Sequence, residues 1–185
     1  MKWMIAICLA LAAAGGDPPD LRDNPAYRAW AGFKPGATVV LSTVTMQGAA
    51  KQADVETIVR LIEVTSDKVV VENSGSMEAG DSRMKLPAER QEIPAKIPAG
   101  KLPSGRVVEE AEETIEVTGK PLAVYRTRRV EDQGPIHTET TTWTSSRVPG
   151  GVVREIMVVQ GKQKTVTRME LLRWDTPSPA RDSAD

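Results

Sequence analysis

The chain has 185 residues, a formal net charge of −1 and only 4% aromatic side chains. A charge so close to balance supplies no field to gather nucleic acid or an anionic membrane, and so few rings build neither a base-stacking groove nor a sugar platform. With one cysteine and one histidine, most metal and nucleophile chemistry is set aside before any motif is sought.

Residues 1–14, MKWMIAICLALAAA, read as a secretory signal peptide. Lys2 precedes an apolar run too short to cross a bilayer, and the run closes on small residues. Cleavage near Ala14 is expected, which places the mature protein in the periplasm or outside the cell with no stable membrane span. Cys8 leaves with this segment. It follows Ile7 rather than a small residue, so lipidation is not expected. Loss of Lys2 takes the formal charge from −1 to about −2 and leaves no cysteine. An exported domain without disulfides must be held by its own core, and a chain of this length can bury one.

Residues 15–23 read as a flexible leader and 24–175 as one β domain. Asn24-Pro25 opens a short helix, with Asn24 as N-cap and Pro25 at the first helical position, and Gly32 stops it. Tyr27 and Trp30 share a face and pin the helix to a sheet. Strands are expected over about 37–46 and 53–65. In the second, Val55, Val59 and Leu61 oppose Ile58, Ile62 and Val64, leaving both faces largely apolar. Ser66-Asp67-Lys68 turns the chain into a further strand at Val69-Val70-Val71.

Between Asn73 and Gly105 glycine and proline recur. A strand over about 83–93 is confined to a sheet edge by Pro87. The crossover at about 93–105 carries Ile93-Pro94, Ile97-Pro98 and Leu102-Pro103, a series expected to stay extended rather than helical or sheet-paired. Two readings stand for it: a surface connection whose isoleucines tuck into the core rim, or a lid across an open sheet face.

Residues 107–117 alternate cleanly. Ala111, Glu113, Ile115 and Val117 face inward, and Glu110, Glu112, Glu116 face outward. Gly119-Lys120-Pro121 returns the chain through 122–130, where Arg126, Arg128 and Arg129 are expected to pair with Glu110, Glu112 and Glu116. The next strand, HTETTTWT from His137, puts Thr138, Thr140, Thr142 and Thr144 on one face, where hydroxyls meet water without cost, and Trp143 on the other as its core anchor. Arg147-Val148-Pro149-Gly150-Gly151 and Gln160-Gly161-Lys162 bound a strand over 152–159 and lead into a last one ending at Trp174. Residues 176–185 read as a disordered tail. Regular strand–turn spacing makes the fold mainly β: a curved antiparallel meander sheet or incomplete β-barrel with one short N-terminal helix.

Catalytic signatures do not assemble. His137 has only Glu139 nearby on its face, too few ligands for zinc. No Gly-x-Ser-x-Gly occurs, Asn73-Ser74-Gly75-Ser76 resembles a turn, and no glycine loop opens a helix to take phosphate. Glu113, on an otherwise apolar face, is read as reaching solvent or an arginine. No enzyme activity, metal or cofactor is expected.

Gly119-Lys120-Pro121-Leu122, the strand carrying Trp143, and Val148-Pro149-Gly150-Gly151-Val152-Val153-Arg154 together resemble small secreted bacterial proteins of planctomycete type. Their strand order is similar to the LolA/LolB-like lipoprotein-carrier superfamily. That resemblance, over about Trp30 to Trp174, implies a curved sheet in an incomplete barrel that shelters acyl chains. The helical lid of those carriers has no counterpart beyond one short helix, and none of their functional residues can be placed here. The reading is a non-catalytic exported β-protein that binds an apolar or lipid-like ligand, or a lipoprotein, in a half-open sheet. The alternative is a ligand-free structural or protein-interaction module of the cell envelope. Partners are then a lipid-like ligand or an envelope protein, not nucleic acid. Ile58, Ile62, Trp143, Ile156 and Val158 are the residues expected to line a cavity.

Overall fold

A computed structural model describes residues 20–79 and 82–177. The expected signal peptide and almost all of the expected tail lie outside them.

One nine-stranded antiparallel sheet dominates. Its strands are β2 (Thr38–Gln47), β3 (Ala50–Val64), β4 (Lys68–Ala79), β5 (Ser82–Pro94), β7 (Arg106–Val117), β8 (Lys120–Gln133), β9 (Ile136–Thr144), β10 (Val152–Gln160) and β11 (Lys164–Asp175). Their spatial order is β5-β4-β3-β2-β11-β10-β9-β8-β7. Two meanders, β2–β5 and β7–β11, thus meet at the β2–β11 pair. β5 and β7 form the two edges, as Pro87 requires of β5. The sheet curls far enough for the end of β7 to approach β11, and it remains open.

A two-stranded ribbon stands apart from the sheet. β1 (Leu21–Asp23) pairs antiparallel with β6 (Lys96–Pro98). The last three residues of the expected leader therefore form a strand, and the proline series is sheet-paired over three residues before a 3₁₀ turn at Ala99–Lys101. This corrects the expectation of an unpaired extended segment. Proline at a strand end loses no ladder bond that a two-stranded ribbon needs.

Helix α1 (Pro25–Ala31) ends at Gly32, and the Asn24 side chain accepts from the Ala26 N–H. That cap contributes about 1 kcal/mol. Asn24 is buried, and it also donates from Nδ2 to the Pro94 carbonyl at 2.8 Å and from its backbone N–H to Ala95 at 2.9 Å. The Tyr27 hydroxyl donates to the Thr65 carbonyl at 2.7 Å. Trp30 is buried in a core with Val39, Leu61, Val69, Val71, Val148, Val153 and Leu171, and Tyr27, Phe33 and Trp143 pack at its margin. The core is therefore concentrated at one end of the sheet.

Bulges set which side chains reach that core. One at Leu61/Glu63 turns both Leu61 and Val64 inward, since their partners Val71 and Val69 share a face. Uninterrupted alternation had set these two on opposite faces. Another lies at Asn73/Gly75, so Asn73–Ser76 continues β4 instead of turning. A Cβ on Gly75 would stand 2.0 Å from the Glu56 carbonyl oxygen, so only glycine fits against β3 there.

Candidate functional site

Pairing register carries the threonine row of β9 into a larger surface. Thr142, Thr140 and Thr138 stand opposite Thr127, Arg129 and Glu131 of β8, and on the other side opposite Glu155, Met157 and Val159 of β10. Directly opposed residues of an antiparallel pair project to the same face. This threonine face continues through Thr165 and Thr167 of β11 to Thr45 and Thr43 of β2. The Thr45 and Thr167 hydroxyls are 3.4 Å apart.

Helix α1 stands over part of this face without filling the space beneath. Between them lies a cavity of about 1060 Å³. Pro25, Ala26, Arg28, Ala29, Gly32 and Phe33 form its roof. Thr127, Arg129, Glu131, the four β9 threonines, Glu155 and Met157 form its floor. Pro103 and Ser104 of the crossover close one side, and the β9–β10 loop, from Ser145 to Val152, closes an end. The crossover connects the two opposite edges of the sheet, so it must traverse a face, and these two residues place its end on the threonine face.

The roof is fixed at both ends. Asn24 and Tyr27 tie it to β5 and to the β3–β4 turn, as above. At the other end the Gly150 N–H donates to the Ala29 carbonyl at 3.0 Å. Gly150 has φ +76°, and a Cβ there would lie 2.9 Å from Trp30 Cζ2. Glycine at this position is what lets helix and loop meet.

Four charged side chains enter the lining, and three are engaged. Arg28 pairs with Asp23. Glu131 accepts from the Ser104 hydroxyl at 2.7 Å and the Gln133 amide at 2.8 Å, which hold its carboxyl below the usual range. Glu155 accepts from the Thr142 hydroxyl at 3.1 Å. Arg129, half-buried, has no hydrogen-bond or ion-pair partner among the described residues. Methyl groups of the threonines, with Phe33, Met157 and Val152, supply apolar contact beside these polar groups. The lining includes neither histidine nor cysteine.

Of the residues expected to line a cavity, none borders this one. Trp143, Ile156, Val158 and Ile58 project to the opposite face, and Ile62 is the extra residue of the β3 bulge. On that face two strands separate Ile58 from Ile156. Trp143 instead packs at the core margin, donates from Nε1 to Glu113 and lies under the Arg154 guanidinium, 5.6 Å from the ring centroid. Glu113 thus meets a tryptophan as well as an arginine, Arg126, at 3.6 Å. The threonine row, visible as a period-two pattern, was the signal for the floor. Arg129, Glu155 and Met157 had no such signal, because only register brings them beside it.

The arginines of β8 pair with acids other than those expected. Arg126 and Arg128 reach Glu109, at 2.6 and 3.2 Å, and Arg128 reaches Glu139 at 3.5 Å. Ala111 opposite Arg126 sets both arginines on the inward face of β7, whereas Glu110 stands opposite Thr127 on the other. His137 faces Asp132 at 2.6 Å, away from the cavity. No described helix is long and apolar enough to cross a membrane.

No protein-family model matches the chain, and no curated protein matches it. Among solved structures it is similar to a domain from Vibrio parahaemolyticus assigned as an outer membrane lipoprotein-sorting protein. The identity is 6% and the TM-score 0.27, over 80% of this chain and 88% of that one. A superposition so loose leaves the reading of function to the cavity itself.

Proposed function

We propose that this is an exported, non-catalytic protein that binds an amphiphilic, lipid-like ligand between α1 and the threonine face. The observation that supports it is the cavity: about 1060 Å³ under a tethered roof, at the upper end of the ~300–1,000 Å³ typical of ligand pockets. Its lining suits a ligand that is apolar along part of its length and polar elsewhere. Threonine presents a methyl to a chain and a hydroxyl that needs a partner once water is excluded.

The test is native mass spectrometry of the protein purified from its own envelope, followed by lipid extraction and displacement of a fluorescent fatty-acid probe. A co-purifying amphiphile near one per chain, lost in Thr140→Trp with unchanged thermal stability, supports this reading. A clean apo mass with no probe binding sinks it and leaves a structural or interaction module of the envelope.

A further inference from the structure

Resting on the cavity reading above, we infer that Arg129 is the head-group subsite and that the ligand is an alkyl-chain amphiphile with a single anionic head, carboxylate or phosphate. The charged groups of the lining are unequally partnered. Arg28 is paired with Asp23, and the carboxylates of Glu131 and Glu155 are satisfied by hydrogen bonds, Glu131 from Ser104 and Gln133 and Glu155 from the Thr142 hydroxyl. Arg129 alone is left without a partner among the described residues, although its neighbours Arg126 and Arg128 on the same strand are both paired with acids.

The difference has a structural cause. Arg126 and Arg128 project to the face that carries Glu109 and Glu139, whereas Arg129 projects to the threonine face, between Thr140 of β9 and Val107 of β7. A half-buried guanidinium flanked by a threonine and a valine is partly desolvated with nothing to offset the loss. A planar fork of N–H donors suits a carboxylate or phosphate oxygen pair, and Thr140 beside it can donate a further bond. The chain of such a ligand would run from there along the threonine methyls toward Met157 and Phe33, both of which line the same space.

Isothermal titration below micellar concentrations separates the alternatives, with laurate and dodecyl phosphate as anionic probes, monolaurin as neutral probe and inorganic phosphate as the bare anion. The expected result is that an anionic probe binds about tenfold or more tighter than monolaurin, since a charged hydrogen bond is worth ~1.5–3 kcal/mol. Arg129→Gln should abolish that preference, the loss falling on the anionic probes, and Arg129→Lys should restore part of it. Whether laurate or dodecyl phosphate binds tighter then says which head the site takes. If monolaurin binds as tightly as the anions and Arg129→Gln changes nothing, the head-group assignment fails while the cavity reading survives. Inorganic phosphate binding as tightly as dodecyl phosphate would show a bare anion site and overturn the assignment. Binding of no probe would overturn both.

Discussion

The N–H of Gly150 and the carbonyl of Ala29 are joined by a 3.0 Å hydrogen bond, and the contact closes α1 onto the loop that follows β9. Together with Asn24 and Tyr27 at the other end, it makes the helix a fixed roof rather than a swinging one. The cavity is then a property of the folded ground state, bounded on one side by Pro103 and Ser104.

Replacing Gly150 should therefore cost more than its backbone angle alone. Gly150→Ala places a Cβ at φ +76° and 2.9 Å from Trp30 Cζ2, whereas Gly48→Ala at φ +60° meets nothing within 4 Å. Urea unfolding should show Gly48→Ala losing about 1 kcal/mol and Gly150→Ala about 2–4 kcal/mol. Equal losses would mean that the Trp30 contact adjusts freely and that the roof is less firmly seated than described.

Ser104, at one side of the cavity, can be followed through one titration. Its hydroxyl and the Gln133 amide hold the Glu131 carboxyl below the ordinary value of 4.5. A depressed folded-state pKa contributes stability that is present above the unfolded pKa and is lost as pH falls through the folded one. The Ser104 tether should accordingly hold at neutral pH and weaken only below the ordinary glutamate range. Ser104→Ala removes the largest cause of the shift, so carbon-detected NMR should find the Glu131 titration moved upward toward 4.5. An unmoved titration would mean that the hydroxyl does not reach the carboxylate in solution.

How the strands run was legible because turn residues punctuate them. Gly119-Lys120-Pro121, Pro149-Gly150-Gly151 and Gly161 lie at or beside strand ends. Which way each strand faces was less legible, because a bulge reverses parity without leaving a strong mark. Val64 joins Leu61 in the core through one such bulge. The cavity borders residues other than those expected to line one, for a different reason. Strands apolar on both faces suggested an apolar lining, so Ile58, Trp143, Ile156 and Val158 were favoured over the hydroxyl row. Yet helix α1 covers the threonine face, and only tertiary register and the Asn24, Tyr27 and Gly150 tethers determine that. The ordered pairing of Leu21–Asp23 with Lys96–Pro98 was hidden likewise, since two three-residue segments far apart in sequence carry no periodicity to read.

The opposite face makes its own prediction, centred on Trp143. Its Nε1–H donates to Glu113, which Arg126 also approaches at 3.6 Å, while Arg154 stacks over the ring. Trp143→Phe keeps an aromatic surface beneath Arg154 and deletes the donor, so it should destabilise the fold by about 1–3 kcal/mol. Glu113→Gln keeps the shape, removes the charge that Arg126 faces and should cost about 1 kcal/mol. The informative quantity is the coupling between them, because each single change also disturbs a cation. If the indole–carboxylate contact is energetically real, the double mutant should lose less than the sum of the singles by about 0.5–1.5 kcal/mol in urea unfolding. Strict additivity would show that Trp143 holds this face by its packed surface alone and that Glu113 answers only to Arg126.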